Sequence, residues 1–339
     1  MFASDLHLHL DGSLRGATLA GLSRGAGLVN AAVSDEEFLS GLRFRPRMSL
    51  ASCLAGFRAT LAVMQTFDSL RRVALELEQD RRSQGIGYAE VRFCPSLHTE
   101  RGLSATDAME AVLAGVREGS GPDAGRGWRA AGLVVVILEG MSSREAAALV
   151  ELAAGFRNDG VVGIDLAGDE ALFDAKAYAA PLRDAKSAGL GVTVHAGEGG
   201  DPSHVSDAVD KLGADRIGHG VSAVEDPRVL SMLAERGTLV EICLSSNVHT
   251  GAVRSLAEHP LTLLDDAGVR VALATDNTFF SDTTLDREYA LAATEAGADR
   301  GLLERSVVAS AAGAFLPADE RSALEGAYRE ALSRGAAER

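Results

Sequence analysis

Residues 4–13 read Ser4-Asp5-Leu6-His7-Leu8-His9-Leu10-Asp11-Gly12-Ser13, and the fold follows from what such a segment needs around it. In a β-strand successive side chains alternate faces. His7 and His9 therefore share one face, and Leu6, Leu8 and Leu10 share the other. An apolar strand that carries two imidazoles on one side and then turns at Asp-Gly supplies half of a metal site. Taken alone, the pair is equally consistent with two unrelated polar residues near a chain end.

Working outward, short β-rich runs bounded by Gly, Pro or polar turns recur along the chain. They are 3–10, 87–93, 132–138, 161–166, 191–195, 216–220, 238–243 and 269–274. Segments of helical period lie between them, among them 69–82, 105–117, 143–156, 181–188, 226–236 and 260–267. Strand and helix alternating eight times is the pattern of a parallel sheet with crossover helices, and eight such units close into a (β/α)8 TIM barrel. The run VVVIL at 134–138 is apolar on both faces, as expected of a strand covered on both sides. Residues 14–68 exceed one crossover and predict extra helices at 17–24, 34–42 and 52–66, draped over the C-terminal barrel mouth. Within them Phe38, Leu42, Phe44, Phe57 and Leu61 are candidates either for core or for a pocket wall. A single domain spanning 1–339 is expected.

Composition narrows the function. A formal net charge of −15, with lysine only at 176, 186 and 211, leaves no basic patch for a polyanion. Nucleic acid is therefore an unsuitable partner. Cys53, Cys94 and Cys243 form no C-x-x-C pair and are expected as buried thiols in a reducing compartment. With no signal-like leader and no apolar run of the roughly 18 residues that span a bilayer, a cytoplasmic, soluble protein is expected.

In this architecture, reactive side chains come from the C-terminal ends of the strands. Those ends carry His7 and His9, then Asp165 to Glu170, His195 with Glu198, His219, Ser245 to Asn247, and Asp276 with Asn277. Each has an ordinary explanation alone: His219 as a core histidine, Asp276 as a helix cap, Glu198 as a solvated charge. Together, His7, His9, His195 and Asp276 from three strands make a plausible ligand set. Imidazoles plus a carboxylate suit Zn²⁺, with other divalent ions possible. A catalytic zinc keeps a position for water and acidifies it, which points to metal-assisted hydrolysis. Glu198, three residues past a ligand, is positioned to shuttle protons, and His219 to face the water.

The segments DLHLHLDGSL (5–14), YAEVRFCP (88–95), VVGIDLAGDE (161–170), TVHAGEGG (193–200), RIGHG (216–220), ICLSSNVHTGAV (242–253) and TLDREYALA (284–292) occur in a fixed order. In this the chain resembles the adenosine deaminase family of the amidohydrolase superfamily over nearly its whole length. The resemblance implies one Zn²⁺ per chain bound by His7, His9, His195 and Asp276. It implies that His219 orients and deprotonates a water, and that Glu198 protonates purine N1 as C6 is attacked, so that Asp276, Glu198 and His219 are catalytic. It further implies that Gly168 N–H holds purine N3 and that Asp11, with His9 nearby, faces the ribose 5′-hydroxyl. The expected partner is thus a small aminopurine nucleoside, deaminated to a 6-oxopurine and ammonia by a monomer or weak homo-oligomer. The H-x-E and P-C-x-x-C motifs of the cytidine-type zinc deaminases are absent.

One position departs from the family. Its Thr-Asp-Asp stands here as Thr275-Asp276-Asn277, so the residue expected at purine N7 is an amide. Asn277 can donate to an unprotonated N7 but cannot carry charge. Two alternatives therefore stand beside the leading one: a specialised deaminase of a modified purine or other amino-heterocycle, and a catalytically weak binding or signalling relative.

Overall fold

The computed structural model describes residues 3–121 and 130–337. Eight strands run in chain order: β1 (Ser4–His9), β2 (Tyr88–Phe93), β3 (Gly132–Leu138), β4 (Val161–Ala167), β5 (Gly191–Ala196), β6 (Arg216–His219), β7 (Leu239–Ile242) and β8 (Arg270–Leu273). Each pairs in parallel with the next, in the order β1 to β8. The ring closes through a bridge between Leu8 and Asp276, where Asp276 N–H donates to His7 O at 2.7 Å and His9 N–H to Asp276 O at 2.8 Å. The chain is thus a (β/α)8 barrel, and the closing hydrogen bonds themselves join three residues expected in the site, His7, His9 and Asp276.

The crossovers include α5 (Phe67–Ser83), α6 (Ala105–Ser120), α7 (Ser143–Gly155), α8 (Ala175–Ser187), α10 (Pro227–Arg236) and α12 (Leu261–Asp266), preceded by α1 (Gly16–Gly25), α2 (Asp35–Leu42), α3 (Leu50–Gly56) and α4 (Arg58–Leu61). Polar caps start them where the sequence provides one: Ser104 and Ser142 accept from Asp107 N–H and Glu145 N–H in reciprocal capping boxes. The expected helix at 52–66 is two short helices instead. The helix is interrupted at Phe57 and stops at Leu61, short of Thr66, whose hydroxyl caps α5. The helix expected from Pro181 begins six residues earlier, because Asp174 caps it and Ala175, Tyr178, Leu182 and Ala185 form one buried stripe that carries Pro181 inside. Helices α9 (Pro202–Asp210) and α13 (Leu285–Thr294) were not among the expected segments. All three cysteines are buried and free, and among the described residues no helix is long and apolar enough to cross a membrane.

Candidate active site

Two strands end in strained backbone that aims a side chain into the mouth. His219 at the end of β6 and Asp276 after β8 have φ of 66° and 60°, a region that costs a non-glycine residue about 1–3 kcal/mol and that clusters at functional sites. Gly218 clears the way, since a Cβ there would stand 3.0 Å from His7 Cε1. His7, His9, His195 and Asp276 converge as expected. His9 Nε2 lies 3.3 Å from His195 Nε2, and Asp276 Oδ1 lies 3.3 Å from His9 Nε2 and 3.5 Å from His7 Nε2.

The backing of these groups fixes their polarity. His7 Nδ1 meets Glu241 Oε2 at 2.7 Å and His195 Nδ1 meets Asp165 Oδ1 at 3.0 Å. A carboxylate only accepts, so both imidazoles donate from Nδ1 and turn Nε2 towards the cavity. The carboxylates are held in turn. Arg92 reaches Asp165 at 2.8 Å and Glu241 at 3.0 Å, while Arg216 bonds Glu241 at 2.6 Å and Glu90 at 2.5 Å, all inside the barrel. Ser246 Oγ donates to Asp276 Oδ2 at 2.5 Å, leaving Oδ1 to the histidines.

These residues fit a divalent metal. His7 Nε2 is buried with no hydrogen-bond partner, and the Nε2 atoms of His9 and His195 face one another. Donor spacings of 3.3–3.5 Å match the edge of about 3.3 Å expected for tetrahedral ligands at about 2.0–2.1 Å. Carboxylates behind ligating histidines are the usual outer support of such sites. A second cluster of possible ligands, His7, His219 and Asp276, overlaps the first.

Beside them, Glu198 Oε2 lies 3.6 Å from His219 Nε2, and Thr250 Oγ1 donates to Glu198 Oε1 at 2.9 Å. Burial, then the Asp276 charge, pushes the Glu198 carboxyl up to about 8, so it holds a proton near neutrality. Burial and the other histidines hold His219 well below its ordinary range.

His9, His195, Asp276, Glu198 and His219 line one cavity of about 300 Å³, at the lower end of the range for small-molecule sites. Its far end is formed by Asp11, Glu139, Gly168 and Asn277, and its wall by Phe44, Phe57 and Leu61 with other apolar side chains. Phe44 stacks on Phe280 with centroids 4.7 Å apart, and Phe57 tilts against the same ring at 4.9 Å. Of the undecided apolar residues, Phe38 and Leu42 pack against the core instead. Gly168 has φ of 130° and lies against Glu139, so only glycine fits without strain. Asn277 Oδ1 is pressed against Gly12, where a Cβ would stand 1.7 Å away, which leaves its NH₂ for the cavity. Asp11 Oδ1, Asn277 Oδ1 and both Glu139 oxygens are buried without partners. Burial pushes Asp11 up to about 7 and Glu139 up to about 8.

Every residue expected in the site lies at this mouth. The supporting Asp165, Glu241, Arg92, Ser246 and Thr250, and the pocket residue Glu139, were given no role from sequence. Arg92 in EVRF and Glu241 in VEIC did carry a signal, as charges inside otherwise apolar strands.

A parallel barrel whose strand ends gather histidines and an aspartate around one cavity defines a metal-dependent hydrolase of the (β/α)8 type. Comparison with known proteins specifies the family. The model of the family described as adenosine deaminase matches residues 3–329, and the chain belongs to that family. It is 40% identical to adenosine deaminase of Mycobacteroides abscessus over 335 residues, covering 94% of this chain and 91% of that one. It is 37% identical to adenosine deaminase of Enterococcus faecalis, covering 94% of each. Among solved structures, the N6-methyl-AMP deaminase of Arabidopsis thaliana superposes with a TM-score of 0.86 at 27% identity, covering 98% of both chains. The protein is accordingly a hydrolase acting on C–N bonds of cyclic amidines, and its chemistry is purine deamination.

Proposed function

We propose that the protein is a zinc-dependent aminopurine nucleoside deaminase that converts adenosine, 2′-deoxyadenosine or a close analogue to the 6-oxopurine and ammonia. His7, His9, His195 and Asp276 would hold one zinc ion, which when bound acidifies a water to a pKa of about 7 and so supplies the nucleophile. Glu198 donates its proton to purine N1, which makes C6 electrophilic. His219 faces the attacking oxygen and orients it. Gly168 N–H donates to N3, the Asn277 NH₂ donates to N7, and Asp11 with His9 binds the 5′-hydroxyl.

The observation that carries this reading is that His9, His195, Asp276 and Glu198 line one cavity with no lysine or arginine among its described lining residues. Its unpartnered groups at the far end, Asp11 and Glu139, are acids. Such a lining suits a neutral ligand rich in hydroxyl and N–H donors and disfavours a phosphate, which would call for cations. A nucleoside is therefore favoured over a nucleotide such as the one the Arabidopsis enzyme is named for. The test is an ultraviolet assay on protein of verified zinc content, with adenosine, 2′-deoxyadenosine, free adenine, AMP and N6-methyl-AMP. Turnover of the two nucleosides at least tenfold above the others is expected; turnover of AMP alone, or of none, overturns the reading. Asn277 and the unpartnered Glu139 favour one second reading, a deaminase specialised for a modified purine.

A further inference from the structure

His219 stands among the site's histidines, yet what lies behind it differs in kind. His7 and His195 rest Nδ1 on carboxylates, whereas His219 Nδ1 meets Asn247 Nδ2 at 3.0 Å. The polarity of that contact is dictated from its far side. Leu261 N–H donates to His259 Nδ1 at 3.1 Å, and a backbone amide has only a proton to offer. His259 Nδ1 is therefore bare. Burial lowers this imidazole to about 3, so it is neutral and its single proton sits on Nε2. That nitrogen lies 3.2 Å from Asn247 Oδ1, which accepts. The amide is thereby oriented with its NH₂ towards His219 Nδ1, and a neutral imidazole that accepts at Nδ1 carries its proton on Nε2.

We propose that His259 and Asn247 are positioning residues that lock His219 as the Nε2–H tautomer, so that it offers the reaction centre a hydrogen-bond donor and acts neither as a metal ligand nor as the base. The overlapping cluster of His7, His219 and Asp276 is on this account not a ligand set. The assignment rests on the deaminase reading only for its catalytic consequence.

That consequence is that Glu198 carries both protons. Its carboxyl proton goes to N1, and the carboxylate so formed takes a proton from water as the C6–O bond forms. This proton passes to the amino group as the C6–N bond breaks and ammonia leaves. The remaining hydroxyl proton returns to Glu198 as the 6-oxo group forms. Thr250, donating to Oε1, leaves Oε2 on the His219 side for this traffic.

The experiment is long-range ¹H–¹⁵N correlation spectroscopy of protein labelled at histidine, zinc-free and zinc-loaded, with His219 assigned from the signals lost in His219→Gln. The Nε2–H pattern is expected for both His219 and His259 in both states. Asn247→Asp puts an acceptor against both imidazoles, so it should convert His219 to the Nδ1–H pattern and lower kcat tenfold or more with KM within about threefold. His259→Gln keeps a donor towards Asn247 Oδ1 and should recover most of the activity that His259→Leu loses. A Nδ1–H pattern for wild-type His219 overturns the proposal, as does an Asn247→Asp protein that loses activity with the tautomer unchanged. A wild-type protein with the Nε2–H pattern and no aminopurine turnover supports the tautomer and overturns the deaminase reading instead.

Discussion

At the histidine end of the cavity, His7 and His195 lean on Glu241 and Asp165, and these are gripped by Arg92 and Arg216. At the far end, Asp11 and Glu139 present buried oxygens to nothing, and Asn277 turns its NH₂ to the cavity. The first region is finished by the protein; the second is left for a ligand to finish. The difference separates two tasks. A ligand set must be held in one geometry whatever purine arrives, so its support is built into the barrel. Groups that select a substrate gain most when their partners come from the substrate, because a wrong ligand then leaves buried polar atoms unpaired.

The largest effect should come from breaking the finished end at its centre. His195→Ala removes one donor of the proposed set, and kcat/KM for the nucleoside should fall by on the order of 10³-fold or more as the nucleophile is lost. Zinc content by elemental analysis should fall with it, and chelation of the wild type should reproduce the loss reversibly. Full zinc occupancy in this variant would count against the ligand set.

Next is the support behind that set. Asp165→Asn removes the negative charge and leaves one accepting oxygen where His195 Nδ1 and Arg92 each need one. Loss of such outer support costs about 10–100-fold in metal affinity or activity. Zinc titration against a competing chelator measures it. An affinity equal to wild type would mean that the two ends do not differ in the way described.

How far this contrast was legible in the sequence depends on distance along the chain. The β1 strand could be read because alternation puts His7 and His9 on one face within three residues. His195, Glu198, His219 and Asp276 could be read because strand ends in a barrel are where such groups gather. The support could not be read: Arg92 meets Asp165 73 residues away and Glu241 149 residues away, and no local pattern encodes that pairing. Glu139 looked like any charge in a turn before the helix cap at Ser142, and only its burial beside Gly168 distinguishes it. The start of α8 was misplaced because Pro181 reads as a first-turn proline, while Asp174 and the Tyr178 stripe outweigh its missing N–H.

A smaller effect is expected at Asn277. Its amide already supplies a donor to the cavity, so Asn277→Asp gains nothing under the nucleoside reading. The kcat/KM for adenosine should fall by about tenfold, as a carboxylate replaces a donor. Zinc content should be unchanged, since the substitution touches only the unfinished end. A tenfold gain for adenosine at the expense of another aminopurine would favour the specialised enzyme.

Glu139 gives the smallest and most pH-dependent effect. Burial, reinforced by Glu170, Asp169 and Asp165, raises its carboxyl from 4.5 to about 8 in the folded chain. Below about 4.5 both the folded and unfolded chains hold this proton, and the group contributes no pH dependence. Between 4.5 and about 8 the folded chain holds a proton that the unfolded chain has lost, so stability falls as pH rises through that window. Glu139→Gln removes this dependence. Its melting temperature relative to wild type should therefore climb from pH 5 to pH 8, by a few degrees for a difference on the order of 2 kcal/mol. The same variant should raise KM for the nucleoside a few-fold, since an acceptor for its donors is weakened. Stability gained as binding is lost is what an unfinished site requires. Parallel pH–stability curves for the two proteins would mean that Glu139 is already satisfied, and that the far end is as complete as the histidine end.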